Sequence, residues 1–420
     1  MLLELSEIKP SNEPQETGNQ RWLYLPPDRN KRSIWLTRLH DVQLAGSAAF
    51  YPDVALHSGF DNCFYAPIRE KTMSLAGLST TKAPDLPHQV ARRFENPVFF
   101  FIYNTDNYYH FIYDTLPYLI SYLELKKKVP ALKLLMNYPN SQITSIYKFV
   151  LEFLTLLGID SKDIVLADME TCYSQVYLSS SYTHDNNSNV EPRDEIYSLY
   201  QKLGEECAPS LSGKGPRRIY ISRRTWLHGD FSNIGTNYTT RRKLENEDEL
   251  VNMLASYGFT EIFTENLTTL EKLDYFRHAE IVVGALGGGV CNVLFSPPQT
   301  RLLCLVSPTF LDVNARFAYS LNHVQLQWFR DSSHAETGPF KQFMRISCPS
   351  RDIVGEITEV GDDTLTVAYT RETVAGWNAQ NSFESICLPQ SECVALDAGL
   401  NSAWRIDLKK FEHALVSAIR

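Results

Sequence analysis

The segment Glu280–Pro298, EIVVGALGGGVCNVLFSPP, constrains the fold more than any other stretch of the chain. An apolar strand, Ile281–Val283, runs straight into Gly284, Gly287, Gly288 and Gly289, and a short apolar helix is expected over Val290–Phe295. A strand that ends in glycines and opens a helix is the mark of a parallel α/β unit. It brings bare backbone N–H groups and the positive end of a helix up to an anion, most often a phosphate. A nucleotide or nucleotide sugar is the ligand this implies. The alternative is a tight strand–helix turn whose glycines serve close packing alone.

The surrounding pattern agrees with an α/β class. Pro97–Tyr103 (PVFFFIY) is continuously apolar, as in a strand covered on both faces. A helix over Asn107–Lys127 follows, with Pro117 as a kink. Then come a strand at Leu132–Met136, a helix at Ser141–Leu157 ended by Gly158, and strands at Ile164–Ala167 and Gln175–Ser179. A helix over Pro192–Ala208 leads to a second series. Its strands are Arg218–Ser222, Thr260–Phe263, Ile281–Val283 and Leu302–Val306. Its helices are Glu247–Tyr257, Thr269–His278 and Val313–Leu321, with Thr268 an N-cap answered by Glu271. Such alternation predicts parallel sheets with right-handed crossovers.

The ends read differently. Met1–Gln20 is a polar arm, followed by short β runs such as Ser33–Leu36 and Val42–Leu44. After Val324, alternation over Ile346–Leu388 around a turn at Gly361–Asp363 predicts a small β insert, and Trp404–Ile419 an amphipathic closing helix. At 420 residues two domains are expected, 1–205 and 206–420, the second holding the insert 346–388 and the helix 404–419. Ligands of such sheets lie beyond the carboxyl ends of the strands, here between the two units.

A net charge of −9 argues against nucleic acid or an anionic membrane as the main partner. The eight cysteines include no C-x-x-C pair, so they read as reduced thiols and neither a zinc site nor a disulfide frame. The start of the chain is acidic and lacks a signal-peptide core, and no apolar run reaches the roughly 18 residues of a membrane span. A cytoplasmic protein is expected, with peripheral attachment to the inner membrane face compatible. A homo-oligomer is equally compatible.

Two constellations carry chemistry. The first is Asn107-Tyr-Tyr-His110-Phe-Ile-Tyr-Asp114-Thr-Leu-Pro117, directly after the buried strand. His110 and Asp114 are four apart and share a helix face, which suits a general base for an attacking hydroxyl. The same pair would also serve as a simple helix brace. The second is Ser222-Arg223-Arg224 with Arg241-Arg242-Lys243-Leu-Glu-Asn246-Glu247, separated by an exposed loop carrying His228. Arginine forks grip diphosphates, making this a local basic pocket in an acidic protein. A solvated basic rim is the plainer alternative.

In this order the motifs resemble glycosyltransferase family 61. The chain shows Ile221-Ser-Arg223, then Arg242-x-Leu-x-Asn246-Glu247, then GALGGGVCNVLF, and upstream the similar N-Y-Y-H-F-I-Y-D-T-L-P segment. The likeness runs from about Val98 to Leu321. It extends to plant xylosyl- and arabinosyltransferases and animal O-glycan transferases. The resemblance implies a GT-B fold of two facing Rossmann-like domains and inverting transfer from a nucleotide sugar, usually UDP-linked, to a glycan hydroxyl. The acceptor would be an oligosaccharide or glycolipid in polysaccharide synthesis. No metal or other cofactor is expected. Carried across, Asp114 is the implied base and His110 lines a sugar. Arg223 and Arg242 hold the diphosphate, and Asn246 and Glu247 order the nucleotide side. Gly287, Gly288, Gly289 and Asn292 form the phosphate turn.

The chain departs from the family at Leu286, where the pattern has His. Either Arg224, His228 or His278 then supplies the missing donor, or the donor sugar is unusual, or the protein is an impaired glycan-binding scaffold. A nicotinamide-dependent oxidoreductase is a further alternative. It would want an acidic residue ending the next strand, where this chain has Ser307-Pro308.

Overall fold

The computed structural model describes residues 20–25, 33–45, 55–58, 63–67, 78–81, 90–105, 107–137, 145–183, 191–210, 213–224, 243–308, 315–334, 340, 342, 344–351, 353–369, 384–395 and 403–419. Arg241, Arg242, His228 and nearly all of the N-terminal arm lie outside them. The chain is mixed α/β, and its two largest parallel arrays lie in one mixed sheet and one wholly parallel sheet.

The first sheet has ten strands. Its members are β1 (Gln20–Leu25), β2 (Ile34–Ala45), β3 (Ala55–Ser58), β4 (Cys63–Pro67), β5 (Leu78–Thr81), β6 (Arg92–Phe94), β7 (Val98–Phe100), β8 (Lys133–Met136), β9 (Ile164–Leu166) and β10 (Thr171–Ser179). The main order is β5-β4-β3-β2-β10-β7-β8-β9, with β1 on β2 and β6 on β10. The part from β10 to β9 is parallel, and β10 joins it to the antiparallel part through β2. The runs expected at Ser33–Leu36 and Val42–Leu44 form one twelve-residue strand, β2. The chain passes between them through Asp41 at φ 49°, a left-handed conformation that Asp tolerates better than most residues.

The second sheet is wholly parallel: β11 (Arg218–Ile221), β12 (Thr260–Ile262), β13 (Ile281–Ala285), β14 (Arg301–Leu305) and β15 (Gln325–Phe329), in the order β12-β11-β13-β14-β15. β15 was not anticipated. Its alternating Gln-Leu-Gln-Trp-Phe belongs to an edge strand covered on one side, and it lacks the continuous apolar run of β13. Side chains alternate across this sheet. Ile219, Ile221, Val282, Leu302 and Cys304 enter one apolar cluster, while Tyr220, Ile281, Val283, Leu303 and Leu305 enter another.

The helices are α1 (Tyr118–Lys128), α2 (Lys148–Leu156), α3 (Glu195–Cys207), α4 (Glu247–Ser256), α5 (Thr269–His278), α6 (Ala315–Leu321) and α7 (Leu408–Ile419). At the start of α5 the Thr268 hydroxyl accepts from the Glu271 N–H while Glu271 accepts from the Thr268 N–H, the capping box expected there. Trp404–Ile406, expected as helix, is a strand paired with Ser332–His334, and α7 starts after it. The insert is a five-stranded antiparallel sheet with its own apolar cluster around Ile346, Ile357, Leu365, Val367 and Leu388.

The kink expected at Pro117 takes a specific form. His110–Thr115 is π-helix, and the Leu116 N–H donates to the Phe111 carbonyl (2.7 Å). In that register the Ile112 carbonyl would accept from residue 117, and proline has no N–H. The buried Tyr200 hydroxyl donates to it instead.

One apolar cluster carries residues from both sheets. Phe295 of the second unit meets Phe153 (5.9 Å) and Tyr200 (5.4 Å), and Glu152 accepts from the Thr269 hydroxyl (2.7 Å). His323 stacks on Tyr197 (5.2 Å) in the same region, and burial pushes its imidazole down to about 4. A depressed folded pKa means the neutral ring stabilises the fold fully above about 6.5 and loses that contribution as pH falls towards 4. Between pH 7.5 and 5 the wild type should lose about 2 kcal/mol more stability than His323→Phe in urea titrations. Equal losses would assign the acid sensitivity elsewhere.

Candidate functional site

Both sheets direct attention to the same kind of place. In the second, the chain runs from β11 to β12 on one side and returns to β13 on the other, so the strand order reverses between β11 and β13. Beyond the carboxyl end of that gap lie Ser222-Arg223 and Leu286–Gly289. In the first, the order reverses between β7 and β10, and beyond it lie the His110–Asp114 segment and Ser180–Thr183. Crevices at such reversals are where open α/β sheets hold ligands.

The His110 Nδ1–H donates to Asp114 Oδ2 (2.7 Å). The other carboxylate oxygen accepts from the Thr183 hydroxyl (3.1 Å). Asp114 is 5% exposed and the His110 side chain 26%. The carboxylate is thus an internal group with both oxygens engaged. It fixes the tautomer that leaves His110 Nε2 able to accept a proton. The segment is anchored from upstream, since Asn107 Oδ1 accepts from the His110 backbone N–H (3.2 Å).

Arg223 leaves the end of β11 and lies along the glycine turn. A Cβ on Gly287 would stand 2.9 Å from its Nη1. Gly287 is in extended backbone (φ 167°), so the need there is for room beside the guanidinium. Burial pushes the guanidinium pKa down, with Glu247 and Glu265 opposing. Gly289 answers to packing: a Cβ would lie 2.9 Å from Ile221 Cγ2 and 3.0 Å from Thr264 Oγ1. The helix expected from Val290 begins at Gly288 and is 3₁₀ to Phe295. Cys291 Sγ donates to the Gly288 carbonyl (2.8 Å) and Asn292 Nδ2 to the Gly289 carbonyl (2.7 Å), side-chain bonds three residues back that suit the tighter winding.

The first constellation meets the glycine turn. A Cβ on Gly288 would lie 3.9 Å from the Tyr109 backbone nitrogen, and the Tyr108 hydroxyl donates to Asn292 Oδ1 (2.6 Å). Tyr109 stacks on Phe317 of α6 (4.1 Å). Asn292 is therefore a strut between the halves, fully buried, and not a free donor.

Glu247 and Asn246 work beneath the surface. Glu247 Oε1 accepts from the Tyr220 hydroxyl (2.7 Å), the Ser222 hydroxyl (3.1 Å) and the Arg223 N–H (2.7 Å). Burial pushes this carboxyl up, and the donors hold it down. Asn246 exchanges two hydrogen bonds with the Ile406 backbone, one from Nδ2 (2.9 Å) and one to Oδ1 (3.2 Å). Of the donors considered in place of a histidine at 286, two are committed elsewhere. Arg224 is held by Glu261 (2.6 Å) and Asp248 (2.7 Å), and its pKa is raised. The His278 ring bonds the Asp274 carbonyl (2.7 Å). Leu286 itself is 3% exposed in the shared core.

A groove of about 490 Å³ also opens between Lys243 and Glu245 on one side and Phe340, Gln342 and Thr358–Val360 of the insert region on the other. Among the described residues no helix is long and apolar enough to cross a membrane, and no cluster of three His, Cys, Asp or Glu side chains is placed to hold a metal.

No curated protein matches the chain. The family model described as Glycosyltransferase 61 matches residues 108–303, a span that opens on the Tyr108–Asp114 segment and takes in Arg223, Glu247 and the glycine turn. That match supports membership of glycosyltransferase family 61.

Proposed function

We propose that this glycosyltransferase transfers a sugar with inversion from a nucleotide sugar, UDP-linked in the first instance, to a hydroxyl of an oligosaccharide or glycolipid during polysaccharide synthesis. The observation that carries the reading is that Tyr108 and Tyr109, which lead directly into the His110–Asp114 pair, meet the glycine turn that lies beside Arg223. It is read as a GT-B enzyme with an acceptor-side unit over 1–205 and a nucleotide-side unit over 206–420. The groove beside the insert supports an acceptor-binding role for that part.

The geometry favours His110 as the base, where the family resemblance implies Asp114. His110 Nε2 takes the proton of the acceptor hydroxyl as the oxygen bonds to the anomeric carbon. Asp114 holds the ring and stabilises the imidazolium that forms. The bond from the anomeric carbon to the diphosphate oxygen breaks, and its electron pair leaves with the nucleoside diphosphate. Arg223 and the amides of Gly287–Gly289 stabilise that charge, and no metal is needed in this scheme. Arg242, beyond the described residues, is the proposed second fork.

The test is calorimetric titration with uridine, guanosine, adenosine and cytidine diphosphates, then a panel of sugars on the preferred base. Arg223→Ala should weaken diphosphate binding by about 10–100-fold, as for a charge-assisted pair. Unchanged affinity removes Arg223 from the site. If no nucleoside diphosphate binds the wild type, the reading falls and a glycan-binding scaffold takes its place.

A further inference from the structure

Lys272 has no part in the chemistry above, yet it sits where that chemistry is proposed. It is in the first turns of α5, which packs on the Gly288–Phe295 helix. The residue is 4% exposed. Its ammonium lies 4.3 Å from the centroid of the Tyr108 ring. Among the described residues no carboxylate stands within ion-pairing distance of it and no hydrogen-bond acceptor meets it. A largely buried lysine whose ammonium has no counter-ion is costly, and a cation–π contact offsets only about 1–2 kcal/mol of that.

The groups that face it are few. Glu265 comes from the turn after β12, Glu152 from α2, Cys291 from the glycine helix and Glu271 from its own helix. Glu152 already accepts from Thr269 and pairs with Lys148 (3.7 Å). Burial raises the Cys291 thiol pKa well out of reach, so it carries no charge. Glu265 remains, and it is the group that acts on both Arg223 and Lys272. Tyr108, under the ammonium, bonds Asn292, and Asn292 bonds the Gly289 carbonyl. The charge without an ion-pair partner is thus linked to the first turn of the glycine helix through Tyr108 and Asn292.

We propose that Lys272 is a second cation of the donor site, facing the diphosphate of a nucleotide sugar across the start of the Gly288–Phe295 helix while Arg223 faces it from β11. This rests on the reading of that turn as a nucleotide-sugar site. Through Tyr108 the same ammonium touches the segment that carries His110, so donor binding and placement of the base share one contact. Burial brings Lys272 down to about 8, with Glu265 and Glu152 opposing, which makes its charge removable within a usable pH range.

The experiment is calorimetric titration of the full chain with uridine diphosphate at pH 7 to 9, for the wild type, Lys272→Met and Lys272→Arg, with thermal unfolding alongside. The wild type should lose about tenfold in affinity between pH 7 and 9 as the protonated fraction falls. Lys272→Met should bind about tenfold more weakly at pH 7 and show no such slope, and Lys272→Arg should keep most of the affinity. The melting temperature of Lys272→Met should not fall, because an apolar chain of like length replaces an unpaired charge. Wild-type affinity that is flat with pH overturns the proposal whatever the variants do. So does Lys272→Met binding as the wild type does. Failure of every nucleoside diphosphate to bind the wild type removes this proposal and the site reading together, whereas binding indifferent to Lys272 removes this one alone.

Discussion

His110→Ala should lower the rate of transfer by about 10²–10⁴-fold and leave nucleoside diphosphate affinity unchanged, because the ring removed is the proposed proton acceptor and not a proposed donor-site contact. Asp114→Asn should cost a comparable factor for another reason. The amide that replaces the buried carboxylate can present N–H to His110 Nδ1, which turns the ring to the tautomer with its proton on Nε2. Thr183 donates to the other oxygen and would hold the new amide in that orientation. The two variants separate the alternatives when measured with donor and acceptor saturating. If Asp114 were itself the base, His110→Ala would stay within about tenfold of the wild type while Asp114→Asn abolished transfer. That outcome would return the base to the position implied by the family resemblance.

The spacing of His110 and Asp114 was legible because four residues make a helical turn, and the π winding of His110–Thr115 still brings them into contact. Which of the two is presented outward was not legible. It depends on Thr183, sixty-nine residues downstream, and on the burial of Asp114. The glycine turn was legible as a turn, yet its glycines do different work. Gly287 leaves room for Arg223, and Gly289 lets the helix close on Ile221 and Thr264. The packing reading therefore holds at Gly289, while the anion-site proposal rests on the room that Gly287 leaves for Arg223.

Lys272 shows a further limit. In sequence it stands beside Leu273 and one turn from Phe276, both buried, and a lysine there reads as one whose stem lines the core while its head reaches water. Instead the ammonium lies over the Tyr108 ring, from the other half of the chain. Parallel strands of the core announced themselves by continuous apolar runs, as in β7 and β13, whereas β15 at the sheet edge did not. Local rules found local devices such as the Thr268–Glu271 box. Contacts between the halves had no local signal.

Glu247→Ala should be the most damaging single change to stability among the residues of the site, by about 3–5 kcal/mol, the usual cost of leaving a buried charge without its partner. Glu247 is 3% exposed, and its Oε1 gathers three donors from the end of β11: the Tyr220 hydroxyl, the Ser222 hydroxyl and the Arg223 N–H. Truncation leaves those donors unmatched and strips Arg223 of the carboxylate that most opposes its desolvation. Glu247→Gln should be milder, about 1–2 kcal/mol, since an amide oxygen can still take the place of Oε1 while the charge is lost. Urea unfolding followed by tryptophan fluorescence measures both. The Ala variant should also bind nucleoside diphosphate more weakly, although Glu247 faces inward, because the turn that aims Arg223 at Gly287 is built on it. An Ala variant that unfolds at the wild-type midpoint would show that the end of β11 is held by something other than this carboxylate. The Gln variant then separates charge from shape: full nucleotide affinity with lowered stability assigns Glu247 to positioning alone. Lost affinity at unchanged stability would mean that its charge acts on the ligand directly.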